Sequence, residues 1–134
     1  MFKLIPRTDK SDPNSAALEI IEFSQLDFEP KRMYWMRNFV QGKTRGNHAH
    51  MTLRQIFIVM QGRIEIELTD GQETQVYNLS SVSPYLSIEP GLWRVISRAS
   101  ADAILLVLAD RVYDEEDYIR DWDDFIEWRR KLEE

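Results

Sequence analysis

Residues 45–50 read RGNHAH and hold both histidines of the chain. Imidazole gives and takes protons near neutral pH and is also a common metal ligand. In an extended strand, residues two apart project to the same face. His48 and His50 are therefore expected to enter one cavity from one side, with Gly46, while Asn47 and Ala49 point away. A lone histidine is commonly structural. Two at this spacing, in a chain that uses histidine nowhere else, point to function. Whether they hold a metal or move a proton depends on what stands around them.

The elements that would position them read mostly as short strands. LEIIEF (18–23) is β-branched and apolar, and RMYWMRNF (32–39) is rich in aromatics. RQIFIVM (54–60) runs into Gln61-Gly62, a hairpin signal, and RIEIEL (63–68) alternates apolar and charged residues as a half-buried strand does. Asp70-Gly71 follows, a strong short-range hairpin signal. Further strands are expected at 74–79, 85–88, 93–97 and 103–109. So many strands with close turn signals indicate a sandwich or barrel. From Asp114 the period changes. Tyr118, Ile119, Trp122, Phe125 and Ile126 fall at helical spacing, with acidic residues early and Arg129, Arg130 and Lys131 late, as the helix dipole favours. An amphipathic helix packed on the β-body is expected.

Residues 1–134 fit one domain, long enough to bury a core without staples. With 43% hydrophobic and 30% charged residues, the chain reads as globular. The absence of cysteine excludes disulfides and thiolate metal sites. Read as an N-terminus, MFKLIPRTDK carries no signal-peptide run, and the longest apolar run, 103–109, is too short to span a bilayer. A cytoplasmic location without membrane contact is expected. A net charge of −6 argues against general nucleic-acid binding, yet it leaves room for a local arginine cluster that takes a phosphorylated ligand.

The histidine spacing is that of the first motif of the cupin superfamily: a glycine, five residues, His-x-His, three or four residues, a glutamate, six residues, a glycine. Gly42, His48, His50, Gln55 and Gly62 occupy those places, with glutamine where the motif has glutamate. IEPGLW (88–93) resembles the second motif, with Trp93 near the place of its histidine. Two imidazoles and an amide are a poor ligand set for a catalytic metal. No metal and no cofactor is expected, which leaves the histidines to acid–base work.

RGNHAH, FEPKRMY (28–34) and YDEEDYIRDWDDF (113–125) together resemble the sugar 3,4-ketoisomerase family, over roughly residues 18–127. The resemblance implies a cupin jelly roll with a short C-terminal α-helix. It also implies migration of the keto group of dTDP-4-dehydro-6-deoxyglucose from C4 to C3 through an enediol. On that reading His50 is the base at C3, and His48 is its partner or proton shuttle. Tyr34 is an acid or oxyanion donor, or else structural. Arg45, Arg32 and Arg94 are candidates for the diphosphate, and Asn47 is grouped with them as a substrate contact. Gln55 would bond a histidine or the sugar, or simply fill space. Trp93 would pack on the sugar or base, or in the core. A homodimer with strand exchange and a downstream aminotransferase are implied as partners. The family's Asp-x-Arg-Gly-x-Leu stretch departs here: SDPNSAAL (11–18) lacks the Arg-Gly pair, which leaves the sugar and its C4 configuration open. Weaker alternatives are a 3,5-epimerase-like cupin, which would pair its histidine with an aspartate that the motif does not supply, a non-catalytic nucleotide-sugar-binding domain, and a metal-dependent dioxygenase.

Overall fold

The computed structural model describes residues 2–134. Its strands, in chain order, are β1 (Phe2–Ile5), β2 (Thr8–Asp9), β3 (Glu19–Ile20), β4 (Arg32–Met36), β5 (Arg45–His50), β6 (Gln55–Gln61), β7 (Arg63–Thr69), β8 (Thr74–Ser80), β9 (Tyr85–Ile88), β10 (Trp93–Ala99), β11 (Ile104–Ala109) and β12 (Tyr118–Ile119). One helix, α1 (Trp122–Leu132), follows. The strands form two five-stranded antiparallel sheets, ordered β1-β9-β6-β11-β4 and β12-β5-β10-β7-β8, beside the small β2-β3 pair. This is the expected all-β jelly roll with a C-terminal helix.

Alternation decides which side chains meet between the sheets. On β7, Ile64, Ile66 and Leu68 are buried, while Arg63, Glu65 and Glu67 face out or sit half-buried. They pack with Leu79 and Ile96 of the same sheet against Phe57, Val59, Leu86, Leu105 and Val107 of the other. β6 and β11 are apolar on both faces because the first sheet is covered twice. Its outer face packs Ile56, Ile58 and Leu108 with Ile5 and Tyr85, under Ile21, Leu26 and Phe28. The outer face of the second sheet is covered by α1, which presses Phe125 onto Ala49, Trp93 and Ile119. Phe125 is fully buried, and such a side chain fastens its helix with about 1.5–3 kcal/mol.

Three local expectations change. Of 18–23, only Glu19–Ile20 is strand, and Phe23–Gln25 is a 3-10 turn, because Ile21 leaves the ladder to cap the outer core. Gln61-Gly62 does not close a hairpin: it carries the chain from one sheet to the other. Gly62 has φ 73°, and a Cβ there would lie 2.8 Å from the backbone of Ala103, so glycine makes the corner possible. The helix starts at Trp122, not near Asp114. Asp121 caps it by accepting from the Asp124 amide, and the preceding residues form a 3-10 turn (Glu115–Asp117) and β12. Asp70-Gly71 does turn the β7–β8 hairpin.

Candidate active site

A cavity of about 600 Å³ opens between the sheets, lined from β4, β5, β6, β10 and β12. Tyr34, His48, Gln55 and Arg94 line it, and Arg32, Arg45 and Asn47 contribute as well. β5 and β10 pair antiparallel, but three residue steps on β5 (Arg45 to His48) face two on β10 (Ile96 to Arg94). Gly46, with φ 75°, absorbs the extra residue as a bulge. The bulge breaks strict alternation, so Arg45 reaches the same cavity as His48. Asn47 stays exposed at the rim, where its amide donates to Thr44 Oγ1 at 3.1 Å.

His48 and His50 share a face, as expected, and their Nε2 atoms stand 3.1 Å apart. Hydrogen bonding at that distance requires one Nε2 to carry the proton and the other to accept it. His48 is half-buried and lines the cavity, whereas His50 is fully buried behind it. Burial, helped by the charge of Arg94, holds both below the usual imidazole range, His48 at about 3 and His50 at about 2. Both are neutral near pH 7. On the far side of His50, Nδ1 faces Asp117 Oδ2 at 3.5 Å. The aspartate that the motif does not supply thus comes from a residue 67 positions away. Asp117 also accepts from the amides of Thr52 and Leu53 and from the Thr52 hydroxyl. β12 brings Tyr118 opposite His50, with ring centroids 4.3 Å apart.

A second polar chain runs from β10, beside the histidines, across to β6 and β4 of the other sheet. Arg94, fully buried, donates to Gln55 Oε1 at 2.6 Å and to the Leu92 carbonyl at 3.0 Å. Burial lowers its pKa to about 10, which leaves it charged near neutral pH. Gln55 Nε2 donates to the Tyr34 hydroxyl at 2.9 Å. Gln55 therefore bonds neither histidine in the described contacts. Desolvation raises the Tyr34 pKa, so the phenol stays protonated.

Three arginines stand around the opening. Arg32 lies over the Tyr34 ring at 5.3 Å, Arg45 is exposed, and Arg120 lies over the Tyr118 ring at 4.2 Å. Arg120 is held by Glu115 through two bonds of 2.8 and 2.9 Å, which pull the Glu115 carboxyl down to about 2. Arg120, Tyr118 and Asp117 were not singled out from the sequence. Tyr118 fits the helical period that follows it, and a two-residue strand is too short to show its own alternation.

Trp93 does not belong to the site. Alternation sends Arg94 inward opposite His48, so Trp93 faces outward opposite Ala49 and packs on Trp122 and Phe125 under the helix. The motif places tested for a metal also differ in use: the two Nε2 atoms bond each other, and the Gln55 oxygen is engaged by a guanidinium. Among the described residues no group of three or more His, Asp or Glu is placed to hold a metal ion.

Residues 2–130 match the family model FdtA, described as WxcM-like, C-terminal. The chain belongs to this family. It is 32% identical over 121 residues to the TDP-4-oxo-6-deoxy-alpha-D-glucose-3,4-oxoisomerase of Aneurinibacillus thermoaerophilus, covering 90% of this chain and 87% of that one. Among solved structures it is similar to QdtA, a sugar 3,4-ketoisomerase of Thermoanaerobacterium thermosaccharolyticum in complex with TDP. That pair is 34% identical, with a TM-score of 0.92 over 98% of this chain and 96% of the other. A histidine-to-asparagine mutant of QdtA is known in complex with TDP-4-keto-6-deoxyglucose. WlaRA, a TDP-fucose-3,4-ketoisomerase of Campylobacter jejuni, is 30% identical, with a TM-score of 0.88 over 99% of this chain and 98% of the other. The resemblance to sugar 3,4-ketoisomerases, read from three short stretches, thus extends over nearly the whole chain.

Proposed function

We propose that this protein isomerises a TDP-linked 4-keto-6-deoxyhexose to its 3-keto isomer. The observation that carries the reading is the neutral imidazole pair, of which His48 lines the same cavity as Tyr34, Arg32, Arg45, Arg94 and Arg120. The C3–H bond breaks and its proton passes to the histidine pair. The C3=C4 double bond forms, and O4 gains a proton from a hydrogen-bond donor, Tyr34. In the second half O3 returns a proton to Tyr34, C3 becomes the carbonyl, and C4 takes a proton from the histidine pair, which restores both groups. The step is redox-neutral within the sugar, and every group it needs is an acid, a base or an oxyanion donor of this chain.

His50 is assigned as the holder of the C3 proton. Asp117 lies beside its Nδ1 and balances the charge that forms, and His48 stands between it and the cavity. Arg45, Arg32 and Arg120 take the diphosphate, with Asn47 at the rim. A homodimer fits β4, an edge strand that exposes Met33 and Trp35. In the single chain, β1 pairs with β9 at the other edge of this sheet. The 3-keto product suits an aminotransferase as the next enzyme, and no helix among the described residues is long and apolar enough to cross a membrane.

The Asp117–His50 contact gives the 3,5-epimerase reading one point in its favour. Incubation with dTDP-4-dehydro-6-deoxyglucose in heavy water, followed by NMR, separates the two. Deuterium at C4 with a new 3-keto sugar is expected, and loss of both in His50→Asn. Exchange at C5 instead would replace this reading with the epimerase.

A further inference from the structure

Gln55 stands where the cupin motif has glutamate, and its surroundings dictate what a glutamine does there. The Arg94 guanidinium can only donate hydrogen bonds. The Gln55 atom 2.6 Å from it must therefore be the amide oxygen. That fixes the orientation of the amide, which otherwise is ambiguous. Its nitrogen then faces the Tyr34 hydroxyl at 2.9 Å and donates to it. The phenol oxygen receives that bond, so its own proton cannot lie along the same line. It is free to turn into the cavity, whose wall Tyr34 lines. Gln55 is 1% exposed and Arg94 equally buried, so bulk water does not compete for either bond.

We infer that Gln55 is a positioning residue: anchored by Arg94, it sets the Tyr34 hydroxyl as a hydrogen-bond donor toward the oxygen that becomes negative on the sugar. The inference rests on the isomerase reading for the identity of that oxygen, though not for the direction of the bonds. It also accounts for the residue type. A glutamate of the same shape would accept from Arg94 with one oxygen and from the Tyr34 hydroxyl with the other. The phenol proton would then point at the carboxylate and away from the substrate.

Gln55→Glu is the test, because it keeps the volume and gives buried Arg94 a counter-charge. Its kcat is expected to fall about 100-fold with KM within about threefold, the size of a lost oxyanion donor. Tyr34→Phe is expected to fall as far, and the double variant no further, since both remove one donor. The phenolate of Tyr34, identified by its absence in Tyr34→Phe, is expected to titrate at higher pH in Gln55→Glu than in the parent protein. Full activity in Gln55→Glu, or an unchanged titration, would overturn the inference. NMR of the unsubstituted protein gives a check that needs no variant. The Gln55 side-chain amide protons are expected to be slow to exchange and to show contacts to the Tyr34 ring; fast exchange with no such contact overturns it as well. If the unsubstituted protein forms no 3-keto sugar, the isomerase reading fails, and the titration and NMR still decide the bond direction.

Discussion

Both imidazoles sit well below their ordinary range because burial disfavours the charged ring and Arg94 opposes it further. For the base proposed above, this keeps the ring neutral before substrate arrives. Arg45 and Arg120 also push His48 down, and Arg32 and Arg120 push His50 down. A bound diphosphate would offset these charges and raise the basicity of the pair where the proton has to be held. Hence kcat/KM, which reports the free protein, is expected to stay flat from about pH 8 down to about pH 5. The acidic limb of kcat is expected at higher pH than that of kcat/KM. A tenfold fall in kcat/KM per pH unit, beginning near the usual histidine pKa of about 6.5, would refute this. Stability follows the same sign. The unfolded chain binds protons at its histidines below about pH 6.5, and the folded protein does so only near about 3 and 2. The contribution is full above about pH 6.5 and is lost as pH falls toward those values. Urea unfolding is expected to show the parent losing more stability than a His48→Asn/His50→Asn variant between about pH 6.5 and 5, before most carboxylates titrate.

At the level of elements, the site is held by the two-residue strand β12, the part of it that was least legible. β7 could be read because burial on one face sets its alternation, as Ile64, Ile66 and Leu68 show, and β6 and β11 because cover on both faces makes them apolar runs. The histidine pair and Tyr34 could be read because alternation fixes their faces. Arg45 reached the cavity only through the Gly46 bulge, which no periodicity announces. Asp117, Tyr118 and Arg120 were hidden for another reason. Their place comes from pairing with β5 at long range, Tyr118 opposite His50, while their spacing imitates the helix that follows. Trp93 was left open between site and core because the register of β10 depends on its partners, and it packs in the core. The same pairing makes Asp117 structural as well as electrostatic: its carboxylate ties β12 to the turn after β5 by accepting from Thr52 and Leu53. Asp117→Ala leaves two amides without acceptors and is expected to cost about 2–4 kcal/mol in urea unfolding. A loss under about 0.5 kcal/mol would show that solvent replaces the clasp without penalty.

Over the whole molecule, the net charge is −6, yet the one cavity described between the sheets is edged by Arg32, Arg45 and Arg120, with Arg94 inside. Acidic residues elsewhere discourage polyanions, while the concave arginine cluster concentrates positive potential on a ligand small enough to enter. On the proposed function, nucleoside diphosphate recognition would be a property of where the charge lies and not of its sum. The arginines are not equivalent. Arg120 already has a bidentate partner in Glu115, so a phosphate must compete for it. Arg45 is exposed on β5, beside the Gly46 bulge, and has no ion pair among the described residues. Arg45→Ala is expected to weaken TDP binding about tenfold or more by calorimetry, the scale of one charge-assisted contact. Added salt should weaken TDP binding to the parent protein, and that dependence should flatten in Arg45→Ala, since one fewer charge is screened. Since the proposal assigns Arg45 to the nucleotide and not to the reacting carbons, kcat should stay within about threefold. If affinity and salt dependence are both unchanged, Arg45 is a solvated rim residue, and the diphosphate is held by Arg32 and Arg120 at the cost of the Glu115 pair.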